Sequence, residues 1–284
     1  MQVCAGVFPH FATICGKIDF FIWVYAYIHK VNVPIAMLKR ERQAFILREI
    51  NLHNKVLSSD LCSQMNVSED TIRRDLIELS DDGKLIKVHG GALSKSFHSA
   101  SSSNHVYSLD EKKTIANKAV RLIEDGMFVL TTGGTTIVEL AKALPVELRA
   151  TFFTGSLQAA REYVHHPNIE VIFIGDRISK SSQLTVGGEA ISRIRQIKAD
   201  LCILGTNAID IEHGVTDNDW EIVQVKKAMI ESSKKVVSLT ISEKLNSSQR
   251  LQVCRLEETD VLITELRPDD AVLKPYLDLG LQVL

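Results

Sequence analysis

The 284-residue chain has almost no net charge: 33 lysines and arginines stand against 35 aspartates and glutamates, a formal charge of −2. That balance excludes a highly basic, nonspecific nucleic-acid coat, although a local basic surface is enough for a specific binder. The five cysteines, Cys4, Cys15, Cys62, Cys202 and Cys254, are scattered and odd in number, and no pair has metal-ligand spacing. Cys202 and Cys254 lie in apolar runs and read as buried reduced thiols, so the compartment expected is the reducing cytoplasm. His165-His166 is a lone pair beside Pro167 and reads as a surface turn, so no metal and no cofactor are expected. The apolar run from Ile18 to Ile28 is too short to span a bilayer, and Lys17 and Asp19 interrupt any longer one. No positively charged segment precedes it and no small-residue cleavage site comes after it, so it is not a good signal peptide and no membrane partner is expected.

The length allows two domains. The stretch Val56 to Leu76 organises the first of them. It reads as a short helix over 59–65, a turn at Asn66-Val67, and a longer helix capped by Ser68, whose hydroxyl can accept from an unpaired first-turn N–H. Glu69 and Asp70 occupy the first turn, where the helix dipole favours carboxylates. Cys62 is small where two helices must approach, and Asn66 tolerates a left-handed backbone. Leu61, Met65, Val67, Ile72 and Leu76 are spaced to form one inward face, which leaves Thr71, Arg73 and Arg74 exposed. The spacing suits a helix-turn-helix, whose second helix can enter the major groove. It also describes an ordinary helical hairpin with a solvated charged face. Residues 83–91 favour the helix-turn-helix. Gly83 stops the helix, residues 84–89 alternate as a half-buried strand does, and Gly90-Gly91 turns the chain. A recognition helix followed by a basic hairpin is a winged helix, with Lys84, Lys87 and His89 beside the DNA backbone. An amphipathic helix over 38–52 precedes it, packing through Phe45, Ile46 and Ile50, with Arg40, Arg42 and Arg48 facing outward. Because residues 37–95 are near charge balance, salt dependence should be moderate for one copy and dimerisation is needed for tight binding.

The run Ser68-Glu-Asp-Thr-Ile-Arg-Arg-Asp-Leu76, followed by Gly83-Lys-Leu-Ile-Lys-Val-His-Gly-Gly-Ala92, resembles the DNA-binding domain of the DeoR-type bacterial transcriptional regulators. The resemblance implies a winged helix-turn-helix over 37–93 in which Ser68, Thr71, Arg73 and Arg74 serve DNA binding. The family usually begins near Met37-Leu-Lys-Arg-Glu-Arg42. The expectation is therefore that Met37 is the true start and that residues 1–36 result from a mis-assigned start codon. A membrane-associating extension is the alternative.

Residues 94–108 are rich in serine without apolar period and read as a spacer. From Leu109 helices and strands alternate. Helices are expected over 110–123, 135–144, 157–164, 191–198 and 218–232. Strands are expected over 127–131, 151–154, 169–175, 201–205, 235–240 and 261–265. That alternation implies an open, largely parallel α/β sheet over 109–284, with ligands outside the carboxyl ends of its strands. Four post-strand loops carry small or polar residues: Thr132-Gly-Gly-Thr-Thr136, Thr154-Gly-Ser156, Gly175-Asp-Arg177 and Gly205-Thr-Asn207. The first resembles a phosphate cradle at a helix N-terminus, although it lacks the Gly-Lys-Thr of a Walker loop.

The resemblance extends through these loops and through Val186-Gly-Gly-Glu-Ala190, His213-Gly-Val-Thr216 and Val225-Lys-Lys-Ala-Met-Ile230. It implies a ribose-5-phosphate isomerase-like effector domain that senses phosphorylated sugars or related metabolites. The chain departs from the family at Thr132 and Asn207, where aspartates are common, and also at Gly155, Asp176 and Thr240–Ser242. Sugar-facing carboxylates are thus missing. Phosphate-facing Gly134, Thr135, Thr136, Arg177 and Lys244 are retained, so an anionic effector is expected. The candidate effector residues are Gly133, Gly134, Thr135, Thr136, Thr154, Ser156, Arg177, Asn207 and Lys244. Lys226 and Lys227 read either as solvated helix charges or as ligands. The function expected is a sequence-specific transcriptional regulator of carbohydrate genes, a repressor acting as a homodimer or homotetramer on operator DNA. The alternative is a sugar-phosphate isomerase with an attached DNA-binding domain. Isomerisation needs a positioned base, and the Gly205 loop offers no carboxylate until Asp210, with Glu212, Asp217 and Asp219 beyond it.

Overall fold

The computed structural model describes residues 37–53, 55–94 and 106–284. The expectation for residues 1–36 and most of the serine-rich spacer lie outside these. Helix α1 (Lys39–His53) leads into strand β1 (Lys55–Leu57), helix α2 (Ser58–Met65) and helix α3 (Glu69–Asp81). Asn66 ends α2 with φ 50°, the left-handed turn its side chain tolerates. Ser68 caps α3, its hydroxyl accepting from the Thr71 N–H at 3.3 Å. After α3, Gly83 takes φ +70°, and the N–H groups of Gly83 and Lys84 return to the carbonyls of Ser80 and Leu79, both at 2.9 Å. This is the glycine stop that satisfies the last helical carbonyls.

The hairpin β2 (Leu85–Val88) and β3 (Gly91–Ser94) comes next. Strand β1, which no alternation in so short a run announces, pairs antiparallel with β3 and makes the wing three-stranded. At Gly91 a Cβ would meet the Val56 carbonyl oxygen at 2.0 Å, so only glycine lets these strands close. Ser94 is therefore the buried end of a strand rather than the start of the spacer.

Ile46, Ile50, Leu61, Ile72, Leu76 and Leu79 form the core of this domain, with Phe45, Met65 and Val67 half-buried at its margin. Arg40 and Arg48 face outward as expected, but Arg42 does not. It turns inward and forms a two-pronged ion pair with Asp75, which is 2% exposed. The Asp75 hydrogen bond holds the Arg42 guanidinium above its ordinary pKa. Removing one partner of such a pair leaves a buried charge, at a cost on the order of 3–5 kcal/mol. Asp75→Ala should therefore unfold the winged helix at a much lower denaturant concentration than the parent. An unchanged midpoint would show that the pair is solvated and dispensable.

The second domain begins with α4 (Leu109–Val120) and continues as β4 (Phe128–Thr131), α5 (Thr135–Ala143), β5 (Thr151–Thr154), α6 (Leu157–Tyr163) and β6 (Glu170–Phe173). A hairpin of β7 (Arg177–Ser179) and β8 (Leu184–Val186) precedes α7 (Gly188–Ile194) and β9 (Leu201–Gly205). Next come β10 (Ala208–Asp210), β11 (Gly214–Asp217), α8 (Trp220–Glu231), β12 (Val236–Leu239), β13 (Leu251–Cys254), β14 (Val261–Ile263), a short α9 (Lys274–Asp278) and β15 (Gln282–Val283).

Seven strands form one sheet in the order β15-β14-β12-β9-β4-β5-β6, and every pairing is parallel. Period-two alternation divides its core. Val129, Ile203, Val237 and Ile263 face α4 and α5, whereas Leu130, Cys202, Leu204 and Val236 face α7 and α8. A third cluster, built around Tyr276 and Leu273, packs beneath the antiparallel β10-β11-β13 sheet. Both that sheet and the β7-β8 hairpin are additional to the sequence expectation, because their strands of three or four residues carry no period. Cys202 and Cys254 are buried free thiols. His166 lies in an exposed turn, its Nε2 2.7 Å from the Pro145 carbonyl oxygen. Among the described residues no helix is long and apolar enough to cross a membrane.

Candidate nucleic-acid interface and effector cleft

The exposed face of α3 carries Arg73 and Arg74, with side chains 64% and 77% exposed. Both reach back to one carboxylate. Arg73 lies 2.6 Å from Asp70 Oδ1 and Arg74 2.5 Å from Oδ2. The Arg73 hydrogen bond, helped by the charge of Arg74, holds the Asp70 pKa below its usual value. Asp70 thus aligns two guanidinium groups on one face, just past the first turn of the helix. Thr71 sits beside them, its hydroxyl 2.9 Å from that of Ser68. Lys84, Lys87 and His89 are exposed on the wing, Lys84 pairing with Asp82 at 3.0 Å. All seven residues singled out for DNA binding therefore lie on α3, its cap and the wing.

The sheet's strand order reverses between β4 and β9: β5 and β6 add to one side, β12, β14 and β15 to the other. The loops after β4 and β9 part at that point, and a ligand crevice belongs there. The cleft found there encloses about 900 Å³, counting its open mouth. Gly133, Gly134, Thr135 and Thr136 line it at the start of α5, with Gly134 at φ +113°. A Cβ on Gly205 would meet the Gly133 carbonyl oxygen at 2.4 Å, so glycine is required where the two loops touch. Thr132, in the place of the family's aspartate, accepts from the Gly205 N–H at 2.7 Å and ties them together.

Three lysines converge on this cleft. Lys244 lies beyond the end of β12, and its Nζ is 3.3 Å from the Thr206 carbonyl oxygen. Burial of its ammonium, then the charges of Lys112 and Lys226, push its pKa down to about 7. Lys112 is buried on α4 and donates to the Tyr107 carbonyl; burial pushes it down to about 8. Lys226, 4% exposed on α8, contacts Asp217 Oδ2 at 2.8 Å and the Gly205 carbonyl at 3.0 Å. Burial works against the Asp217 carboxylate, but Lys226 and the backbone N–H groups outweigh it and hold the pKa below the usual range. Asn207 bridges outward, its Oδ1 3.3 Å from His53 Nδ1 on α1. Burial, then repulsion from Lys244, push His53 down to about 4, so the ring is neutral at ordinary pH.

Gly133, Gly134, Thr135, Thr136, Asn207 and Lys244 thus come together. Thr154, Ser156 and Arg177 are not among the residues lining the cleft, although the Ser156 hydroxyl packs against Gly133 behind it. The Thr154 hydroxyl donates to the Thr131 carbonyl at 3.1 Å and accepts from the Ser156 N–H at 3.2 Å, wholly buried. Ser156 caps α6 by accepting from the Ala159 N–H. Arg177 opens β7, whose pairing with β8 turns the guanidinium out to Glu221. Lys226 is no solvated helix charge, whereas Lys227 is half-exposed. Sequence reasoning missed Lys112 and the α1 residues, and weighed Asp217 only as a carboxylate for catalysis. A signal existed for two lysines: Lys112 falls on the buried stripe with Ile115, Ala116 and Ala119, and Lys226 on that of Ile222, Val225 and Met229. A charge on an apolar stripe marks a buried ion site. The later carboxylates separate: Asp210 accepts from the His213 N–H in a turn, and Asp219 caps α8.

A winged helix joined to an α/β domain with a cationic cleft at its switch point defines a ligand-responsive DNA-binding regulator. Comparison with known proteins agrees. Residues 42–97 match the DeoR-like helix-turn-helix domain and residues 108–266 the DeoR C terminal sensor domain. The HTH-type transcriptional repressor GlcR of Bacillus subtilis is 32% identical over 83% of this chain and 92% of its own length. The HTH-type transcriptional regulator GolR of Listeria innocua is 31% identical over 87% of this chain and 98% of its own. The chain belongs to the DeoR family of transcriptional regulators. Among solved structures, ribose 5 phosphate isomerase A from Neisseria gonorrhoeae aligns at 14% identity over 50% of this chain and 56% of that one, with a TM-score of 0.38. A likeness at that level decides nothing about chemistry.

Proposed function

We propose that this regulator is a cytoplasmic repressor of carbohydrate genes, released from its operator by a phosphorylated sugar or similar anion bound in the cleft. The observation that carries this is the convergence of Lys112, Lys226 and Lys244 with the start of α5, against two lining carboxylates: Asp217, paired with Lys226, and Asp219, which caps α8. A helix N-terminus and buried ammonium groups favour phosphate chemistry. A homodimer or homotetramer is proposed as well. The β6 edge leaves Ile172 and Phe173 exposed, an apolar strand edge of the kind that pairs with another copy. Sedimentation of a lone monomer at micromolar concentration would remove that part of the proposal.

Catalysis is not proposed. Asp217 is held in an ion pair and Asp219 in a helix cap, so neither is a free base for proton abstraction. Turnover in a sugar-phosphate isomerisation assay would reverse this. The direct test is binding of the chain to DNA from upstream of its own gene, at stated salt, with and without a panel of sugar phosphates. Specific binding released by one compound is expected. Binding indifferent to every compound would leave the DNA reader standing and overturn the effector assignment.

A further inference from the structure

The cleft is not made by the α/β domain alone. Asn51, His53 and Lys55, from the end of α1 and the start of β1, form part of its wall. Leu52 between them is 3% exposed and sits in the main core of the α/β domain with Ile115, Leu140 and Leu239. The segment is thus plugged into the second domain while belonging in chain order to the first. Arg48, one turn earlier, reaches Glu243 at 3.4 Å beside Lys244, and Arg250 pairs with Asp60 on α2. Farther along α1, Arg42 grips Asp75 of α3. One rigid helix therefore has its end in the cleft and its other half clamped to the recognition helix.

We propose that the end of α1 is an effector-binding element: an anion held by the cleft lysines also contacts the wall formed by Asn51, His53 and Lys55, and α1 carries that contact to the recognition helix. This rests on the reading of the cleft as an anion site. The chemistry of the wall suits it. Lys55 adds a fourth cation to Lys112, Lys226 and Lys244, Asn51 adds an amide, and His53 adds a neutral ring whose Nδ1 already faces Asn207 across the domain boundary. The charged groups around His53 are Glu49 at 3.7 Å, Lys244 and Asp217. An anion entering among them takes donors that now hold the two domains in register. Effector and operator then affect each other's binding by the same factor, as linkage requires.

The test is calorimetric titration of the full chain with inorganic phosphate, without DNA, at one fixed pH. Four variants are compared: Lys244→Met, Lys55→Gln, Lys55→Arg and, as a remote change of equal charge, Lys198→Gln, which is exposed on another face. Lys55→Gln is expected to weaken phosphate binding about tenfold, the loss of one charge-assisted hydrogen bond. Lys55→Arg should restore most of it, and Lys198→Gln should match the parent. The His53 ring resonances should also shift on adding phosphate, a response that a merely structural wall would not give. If Lys244→Met abolishes binding while Lys55→Gln matches the parent and His53 is silent, the α1 proposal is overturned and the cleft reading stands. If the parent binds no phosphate, or Lys244→Met binds it as well as the parent, the cleft reading fails and this inference with it.

Discussion

Arg73→Ala and Arg74→Ala are each expected to weaken operator binding by about 10- to 100-fold, and together to reduce it to the nonspecific level, while the thermal midpoint stays put. The magnitude comes from about 1–3 kcal/mol for a good arginine–base or charge-assisted contact. Asp70 makes the loss larger than the contact alone. In the parent its carboxylate is neutralised by both guanidinium groups. Without them a bare negative charge faces the DNA phosphates. Stability should not change, because both arginines are exposed and their pairs are surface pairs of small net worth. The same argument gives Asp70→Ala the opposite sign: tighter but less discriminating binding. Fluorescence anisotropy with operator and scrambled DNA over a salt series measures all of this. An arginine that holds a phosphate should lower the salt slope by about one, whereas one that reads a base should relax specificity at its position. Unchanged affinity in both single variants would sink the assignment of α3 as the reading helix.

The second large effect is on anion binding. Affinity for sulfate, a probe whose own charge is constant, should fall as pH rises from about 6 to about 9, with a limiting slope of up to tenfold per unit for each lysine that must be charged. The free cleft loses the Lys244 proton near 7 and the Lys112 proton near 8. A bound anion favours the charged forms, so binding takes up protons, and each becomes harder to supply as pH rises. Lys244→Met should weaken binding at low pH and remove the step near 7. The unliganded protein has the matching dependence. Its Lys244 pKa is depressed, so between about 7 and 10.5 the unfolded chain holds the extra proton and stability rises with pH. Lys244→Met should raise stability most at low pH, since it removes a buried charge. A flat sulfate affinity across the range would show that these lysines do not meet the ligand.

Much of the DNA-reading domain is legible in one dimension because its rules are local. A serine cap, a glycine stop and a left-handed asparagine act within four residues of themselves, so Ser68, Gly83 and Asn66 announce the ends of α2 and α3 before any packing is known. Asp75 was not legible. It lies among charges on α3, and only the docking of α1 makes it the buried partner of Arg42.

The α/β domain divides in the same way. Apolar runs and post-strand glycines determined that β4, β5, β9, β12 and β14 exist and that the Gly133-Gly134 loop opens a helix. They did not determine the strand order, which rests on pairings between residues far apart in the chain. Because β4 lies beside β9, the loops after them face one cleft, and Asn207 and Lys244 join Gly134 there. Loop composition alone treats Thr154, Ser156 and Arg177 as their equals, since hydroxyls and a guanidinium look the same in a cap, a turn or a site. By itself the sequence determined the helices, the turn and the parallel α/β alternation, since helix caps and periodicity are properties of neighbours in the chain, and its resemblance to the DeoR-type regulators supplied the DNA-binding role. Tertiary structure alone decided which charges are buried together and that α1 closes the cleft: desolvation and cross-domain contacts depend on distances in space, which no spacing along the chain encodes.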